Sequence, residues 1–482
     1  MPTGFNYKFG ITGVKNDMNK LNFNERLDDF WVYPKLTKAR HIRDYKDNFF
    51  EFLNDDSKNE KAATNLYIHI PFCDSSCIFC PYYKLYGKNN YKNNLTKYVD
   101  ALIKEMQHYS RTTYFIGRKI HSVHFGGGNP FLLPIDELSR IVQAARMFFD
   151  IDVNDNWAME GSINSIKHTA YVEGLLNLGI NRISFGVQTF NPDIRKKMNI
   201  RTQLKDIYRG VDILKNGGLT DFCIDLMYNM PDQTTADFIN DLKIMADLDP
   251  YHVDIYNMAV FPNTYLYDLI NEKKEFKINP SNKNQCDMFK KGDEWLKSNG
   301  FRQIITNTYS RRQQDVHIGD KLYLNNCNVL GIGASSRGYI NGYAYKNVCE
   351  IQDYIDQVEN GNYPANLAAK YSIEQHNDRK MVFFPILMKI NKVDIPDIDR
   401  YKEHIDYIID EGLAEWNGNT LLLTQKGVFW SGNISTLFFD QENWKMYMQS
   451  FLHASREKVN PYNEDKMGNE RIKLEDWEDD SL

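Results

Sequence analysis

The chain of 482 residues lacks any long hydrophobic run. Its most apolar stretch, Met381 to Ile390, is short and interrupted by Pro385, well under the roughly 20 apolar residues of a membrane helix. The first forty residues are polar and aromatic by turns, without the charged, apolar and small-residue layout of a secretory leader. Charge of one sign is also scarce. The net charge is −6 and the lysines are interleaved with acids, so there is no global electrostatic case for nucleic-acid binding. Cysteine is sparse and odd in number, seven in all, which argues against a disulfide framework in a chain this long. These absences lead us to expect a soluble, cytoplasmic protein with no integral membrane segment. What is present is an ordinary globular balance, 42% hydrophobic and 25% charged, enough for a large core plus smaller additions.

From about residue 66 a βα rhythm begins. Strands are expected at 66–70, 121–125, 157–160, 182–187, 223–227 and 252–259. Helical periodicity falls between them at 96–109, 135–149, 171–178, 193–215 (broken) and 235–248. Strands alternating with helices mean parallel βαβ units. Six units predict an α/β fold, a partial (β/α)6 barrel with its chemistry at the C-terminal strand ends. We divide the chain into an N-terminal extension (1–62), the barrel core (63–275), an extension expected to cover the barrel mouth (276–370), a C-terminal helical module (371–453) and a charge-dense tail (454–482) expected to be mobile. In the module, a helix end at 405–411 precedes two short strands around Asn417-Gly418, a strong hairpin-turn signal. That order is winged-helix-like, but no basic recognition face accompanies it, so nucleic acid is not an expected partner.

Three of the seven cysteines, Cys73, Cys77 and Cys80, fall within eight residues as C-x3-C-x2-C, in the loop after the first strand. Three thiolates on a short loop can ligate three irons of a cubane and leave the fourth iron open. Zinc is the competing reading, with His69 as a fourth ligand. Zinc motifs, however, usually pair their cysteines as two C-x2-C units in a complete tetrahedral set, and strand alternation aims His69 awkwardly. Incidental clustering is the third reading.

The segments Tyr67–Cys80, His124-Phe125-Gly126-Gly127-Gly128-Asn129-Pro130, Arg182–Asn191, Cys223–Tyr228 and Pro231–Thr234 together resemble the radical S-adenosylmethionine (SAM) superfamily. Within it they resemble the subgroup typified by oxygen-independent coproporphyrinogen III oxidase, and the match covers over half the chain. The resemblance implies a [4Fe–4S] cluster on Cys73, Cys77 and Cys80, with SAM, or two SAM molecules, bound beside it. One electron then cleaves SAM to a 5′-deoxyadenosyl radical, with the cofactor supplying the hard chemistry and an electron donor such as flavodoxin or ferredoxin supplying the electron. It further implies SAM contacts from Tyr67, Phe79, Gly127, Gly128, Asn129 (where the family usually has threonine), Glu160, Gln188, Arg201 with Arg195 as the alternative, Asp225 and Ala259. Thr234 is expected to cap a helix, and Cys223 to be a buried strand residue. The coproporphyrinogen oxidases carry a further cysteine two residues after the third; here it is Tyr82. Together with the run Gly342–Asn347, this looks most like the heme-degrading and methyl-transferring branch. The implied substrate is a tetrapyrrole or similar conjugated small molecule, altered by methyl transfer or oxidation. A heme-binding chaperone is the alternative, although the nearest counterpart of the chaperones' heme segment is only His317 to Tyr323. A radical SAM enzyme of natural-product biosynthesis is a third. No catalytic acid or base is identified; His317, Arg337 and Tyr345 are candidates.

Overall fold

In the computed structural model, residues 21, 23, 26–29, 31–36, 49, 51–55, 62–74, 77–86, 88–279, 281–312 and 318–458 are described. The 454–482 tail lies almost wholly outside them, as does His317. Six parallel strands form the centre: β1 (Thr64–Ile70), β2 (Lys119–Gly127), β3 (Asp150–Gly161), β4 (Ile180–Gln188), β5 (Phe222–Tyr228) and β6 (His252–Asn257). They lie side by side in chain order. Helices Lys88–Ser110, Ile135–Phe148, Thr169–Asn177, Leu204–Asn216 and Thr235–Asp247 connect them. β1 reads TNLYIHI and is buried at all positions but Tyr67, the near-continuous burial of a parallel strand covered on both faces. Helix Thr235–Asp247 starts on a capping box. The Thr234 hydroxyl accepts the Asp237 N–H while the Asp237 carboxylate accepts the Thr234 N–H.

Strands of the 276–370 segment extend both edges of the sheet. Asn328–Ile332 pairs parallel with β1, and Arg337–Ile340, Tyr343–Asn347 and Ala365–Lys370 follow antiparallel. At the other edge, Thr308–Ser310 pairs antiparallel with β6. The sheet thus has twelve strands, and one continuous apolar core lies under most of it.

The C-terminal portion has its own core cluster. Helix Ile398–Asp410 leads into strands Ala414–Asn417 and Thr420–Leu423, with Gly418 at φ 57° in the turn. A strand the sequence did not announce, Lys389–Asn391, completes a three-stranded sheet. Pro385 sits within helix Ile373–Leu387 rather than breaking the segment. Residues near the N-terminus fasten onto this portion: the Tyr33 hydroxyl donates to Asp440 (2.8 Å), and Arg379 donates to the Tyr33 carbonyl (3.0 Å). Among the described residues no helix is long and apolar enough to cross a membrane.

Candidate functional site

The cysteine loop is pinned at its base to the C-terminal end of β1. The Gly128 N–H donates to Ile70 O (2.8 Å), the Asn129 N–H to Phe72 O (2.6 Å) and the Leu85 N–H to Pro71 O (2.7 Å). Phe72-Cys73 then pairs with Leu85-Tyr86. A β-carbon on Gly128 would lie 2.4 Å from Phe72 O, and one on Gly127, at φ +108°, 2.5 Å from the His69 ring. These glycines let β2 pass directly under the loop. Cys73, Cys77 and Cys80 are all half-buried. Cys77 and Cys80 pack on an apolar wall that includes Ile78, Phe79, Ile194, Met198, Met230 and Met258.

Asn129, 1% exposed, ties the loop to the end of β3. Its amide nitrogen donates to Asp74 Oδ1 (2.9 Å) and Ser165 Oγ (2.8 Å), and its oxygen accepts the Ser162 N–H (2.9 Å). Ser165 Oγ donates in turn to Asp74 Oδ2 (3.0 Å). The side chain expected to touch SAM is therefore engaged in holding Asp74, the neighbour of Cys73.

Gln188 ends β4 at φ 69°, a left-handed conformation that is costly for a non-glycine residue. The following residues fix it. The buried Asp241 carboxylate accepts the Thr189 hydroxyl (2.7 Å) and the Phe190 N–H (2.7 Å), and burial pushes its pKa up to about 6. The Gln188 oxygen is buried without a hydrogen-bond partner, an unsatisfied acceptor of the kind a ligand completes. Arg195, the alternative to Arg201, is buried and spends its guanidinium on the carbonyls of Val187, Thr189 and Thr202. Arg201 instead reaches the Tyr86 hydroxyl (2.9 Å), beside the cysteine loop.

The remaining strand ends converge on one space. Tyr82, two residues past Cys80, is 59% exposed. Tyr67 bonds His69 Nδ1 (3.1 Å), stacks on His124, and has its pKa raised by burial, Glu160 and Tyr82. Glu160 lies 3.8 Å from His124 Nε2. Asp225 on β5 stands in register with Asp254 on β6. Ala259 lies two residues beyond the end of β6, half-buried.

Sequence reasoning missed Asp254 and Tyr256, although His252, Asp254 and Tyr256 alternate along β6 and so share one face. Tyr256 donates to Asp254 (3.0 Å). Cys223, Asp225 and Asp254 bring a thiol and two carboxylates within 4.8 Å of one another. Burial, and for Asp225 the nearby Asp254, raise both carboxyls, Asp254 to about 6. Cys223 is buried as expected, and its thiol pKa is raised by burial and these acids. Lys84, four residues past Cys80, also went unread. Of the three acid–base candidates, His317 lies outside the described residues. Arg337 begins the strand Arg337–Ile340, paired on both sides within the sheet. Tyr345 is buried in the core, with its hydroxyl on the Gly331 backbone (3.0 and 3.1 Å).

The donor set suits the cofactors that the sequence implies. Three sulfurs on one loop, an apolar wall behind two of them, a glycine cradle and an unsatisfied amide oxygen all lie at the C-terminal strand ends. The radical SAM superfamily model matches residues 67–245. Anaerobilin synthase of Escherichia coli O157:H7 is 25% identical over 389 residues, 80% of this chain and 85% of that protein. The oxygen-independent coproporphyrinogen III oxidase of Escherichia coli K12 is 27% identical over 343 residues (68% and 73%), and the heme chaperone HemW of Lactococcus lactis 26% over 384 residues (78% and 98%). The solved structure of the Escherichia coli coproporphyrinogen III oxidase superposes with a TM-score of 0.72 at 22% identity, covering 86% of this chain and 99% of that one. The chain therefore has the coproporphyrinogen oxidase fold and carries a radical SAM domain, which implies a [4Fe–4S] cluster and SAM, and its homologues include oxygen-independent coproporphyrinogen III oxidases and heme chaperones.

Proposed function

We propose that the chain is a radical SAM enzyme that holds its cluster on Cys73, Cys77 and Cys80 and acts on a tetrapyrrole or similar conjugated small molecule by methyl transfer or oxidation. The observation that carries the reading is the placement of the three cysteines. Their loop is pinned to the end of β1 by the Gly128 and Asn129 N–H groups, beside β3, β4 and β5, the strands that carry Glu160, Gln188 and Asp225. When bound, cluster and SAM supply one-electron cleavage of the sulfonium and hence hydrogen-atom abstraction from a substrate.

The chain's own residues orient and shield. Glu160 and Asp225 accept the ribose hydroxyls, as carboxylates do well. Gln188 offers its unpaired oxygen, Arg201 attracts the carboxylate of SAM, and Gly127 and Gly128 keep the approach free of side chains. Phe79 and the methionines beside it exclude water, and Asn129 holds the cysteine loop through Asp74. Tyr82 stands where the coproporphyrinogen oxidases have a cysteine, which favours a reaction other than theirs. The 25% identity with an anaerobilin synthase over 80% of the chain supports a tetrapyrrole substrate and the methyl-transferring branch.

The test is anaerobic. The chain is reconstituted with iron and sulfide, reduced and given SAM, with and without heme and coproporphyrinogen. The expected result is 5′-deoxyadenosine that rises with one tetrapyrrole, accompanied by S-adenosylhomocysteine if a methyl group is transferred. Cys73→Ala and Cys80→Ala abolish both cluster and cleavage. Heme binding without SAM cleavage would make the chain a chaperone instead. Slow cleavage indifferent to either tetrapyrrole would move the substrate outside heme metabolism.

A further inference from the structure

Lys84 is 5% exposed. Lysine is almost never so buried unless its charge is compensated. Its backbone is held beside the cysteine loop, because the adjoining Leu85-Tyr86 strand pairs with Phe72-Cys73 and the Leu85 N–H donates to Pro71 O (2.7 Å). Burial is the strongest influence on its ammonium and opposes the charge, and the groups that favour the charge are Cys80, Cys73 and Cys77 in that order; none of these is a carboxylate. Neutral thiols are weak acceptors and carry no charge to balance an ammonium. The arrangement is electrostatically complete only when the three sulfurs are thiolates, the state in which they bind metal.

Resting on the assignment of Cys73, Cys77 and Cys80 as ligands, we propose that Lys84 is the built-in counter-charge of the cluster and sets its reduction equilibrium. Three thiolates give an oxidised cubane net negative charge, and reduction adds another electron in the same small volume. A fixed ammonium stabilises the reduced form more than the oxidised one, and cluster potentials are set by net charge, hydrogen bonds to sulfur and solvent exposure. The apolar wall behind Cys77 and Cys80 keeps water from screening the interaction. A low-potential donor can then reduce the cluster without the site having to open to solvent.

The test compares the reconstituted full-length chain with Lys84→Met and Lys84→Arg. Iron and sulfide content are measured first, then the midpoint potential by redox titration followed by electron paramagnetic resonance, without SAM. Lys84→Met is expected to load its cluster and to shift the reduction equilibrium at least tenfold toward the oxidised form, 59 mV for one electron. Lys84→Arg is expected to stay within threefold of the parent chain. If Lys84→Met takes up no cluster while Lys84→Arg does, the positive charge is required for assembly, which also supports the proposal. A loaded Lys84→Met with an unchanged equilibrium overturns it. So does failure of both variants to load, or an arginine variant that shifts as far as the methionine one, because either result makes shape rather than charge the requirement. If the parent chain itself binds no iron–sulfur cluster, the assignment of the cysteines fails, and this inference with it; that result is distinct from a loaded parent whose potential ignores Lys84.

Discussion

Glu105 has a carboxylate with no exposure to water. It lies on helix Lys88–Ser110 and accepts the Gly333 N–H (2.8 Å), the Asn347 amide (2.7 Å) and the Tyr354 hydroxyl (2.6 Å). Two turns earlier on the same face, Tyr98 donates to His69 O (2.8 Å) and accepts the Ala334 N–H (2.9 Å). The helix thus pins the glycine-rich turn 331–336 against the end of β1, where the cysteine loop begins. Burial pushes the Glu105 pKa from 4.5 up to about 7, against the pull of its three donors. An acid whose pKa is raised by folding binds its proton more tightly in the folded state. Its contribution to stability is full below about 4.5 and is lost as pH rises to about 7. The span corresponds to about 3 kcal/mol. Glu105→Gln cannot ionise. Its amide nitrogen meets at least one donor, so the variant is offset from the parent chain by an amount that does not depend on pH. Urea unfolding of both chains at steps between pH 4.5 and 7.5 isolates the group, because every other titration cancels in the difference. The stability of the parent relative to the variant is expected to fall by about 3 kcal/mol across that range. A flat difference, or one that rises, refutes the reasoning.

His376 gives an opposite signature. Burial, and then Arg379, lower its pKa to about 4. Its ring stacks on Tyr339, whose hydroxyl meets Nδ1 at 2.7 Å. A base kept neutral by folding contributes fully above 6.5 and loses that contribution as pH falls to about 4, so His376→Gln should flatten the acid limb of the unfolding curve by up to about 3 kcal/mol. Asn129→Ala removes all three hydrogen bonds of a buried amide and should cost about 1–3 kcal/mol in denaturant. It should also speed amide exchange between Cys73 and Cys80; unchanged exchange there would mean that Asp74 is held by other means.

The barrel was legible because its strands are buried on both faces and read as short apolar runs, each followed by a periodic helix. The strand ends were less so. β3 carries its apolar run only near its end, at Trp157–Met159, and the polar Asp150–Asn156 lead-in has the composition of a loop, so its strand character comes from pairing with β2. The extension after residue 276 lacks the βα rhythm of the barrel, and its strands carry little signal of their own. Its strands are short and owe their order to the open edges of the sheet beside β1 and β6. A single sequence does not say which edges remain unpaired.

The candidate site shows the same division. A motif announces its backbone, as C-x3-C-x2-C and Gly126-Gly127-Gly128 do, because spacing along a loop is written in the chain. Side chains that act across strands are written only in register. Asp254 becomes a partner of Asp225 when β5 and β6 align in parallel at those two positions. Lys84 becomes a partner of the cysteines when Leu85 pairs with Phe72. Asn129 was visible as a departure from threonine, but its role was not, since Asp74 and Ser165 reach it from two other segments. Each of these residues brings charge or hydrogen-bonding capacity to a place where water is scarce, and there an unmatched polar group is expensive. The site is therefore constrained from its periphery as much as from its ligands. Substitution at Lys84 or Asn129 can alter the chemistry of the loop while Cys73, Cys77 and Cys80 remain in place.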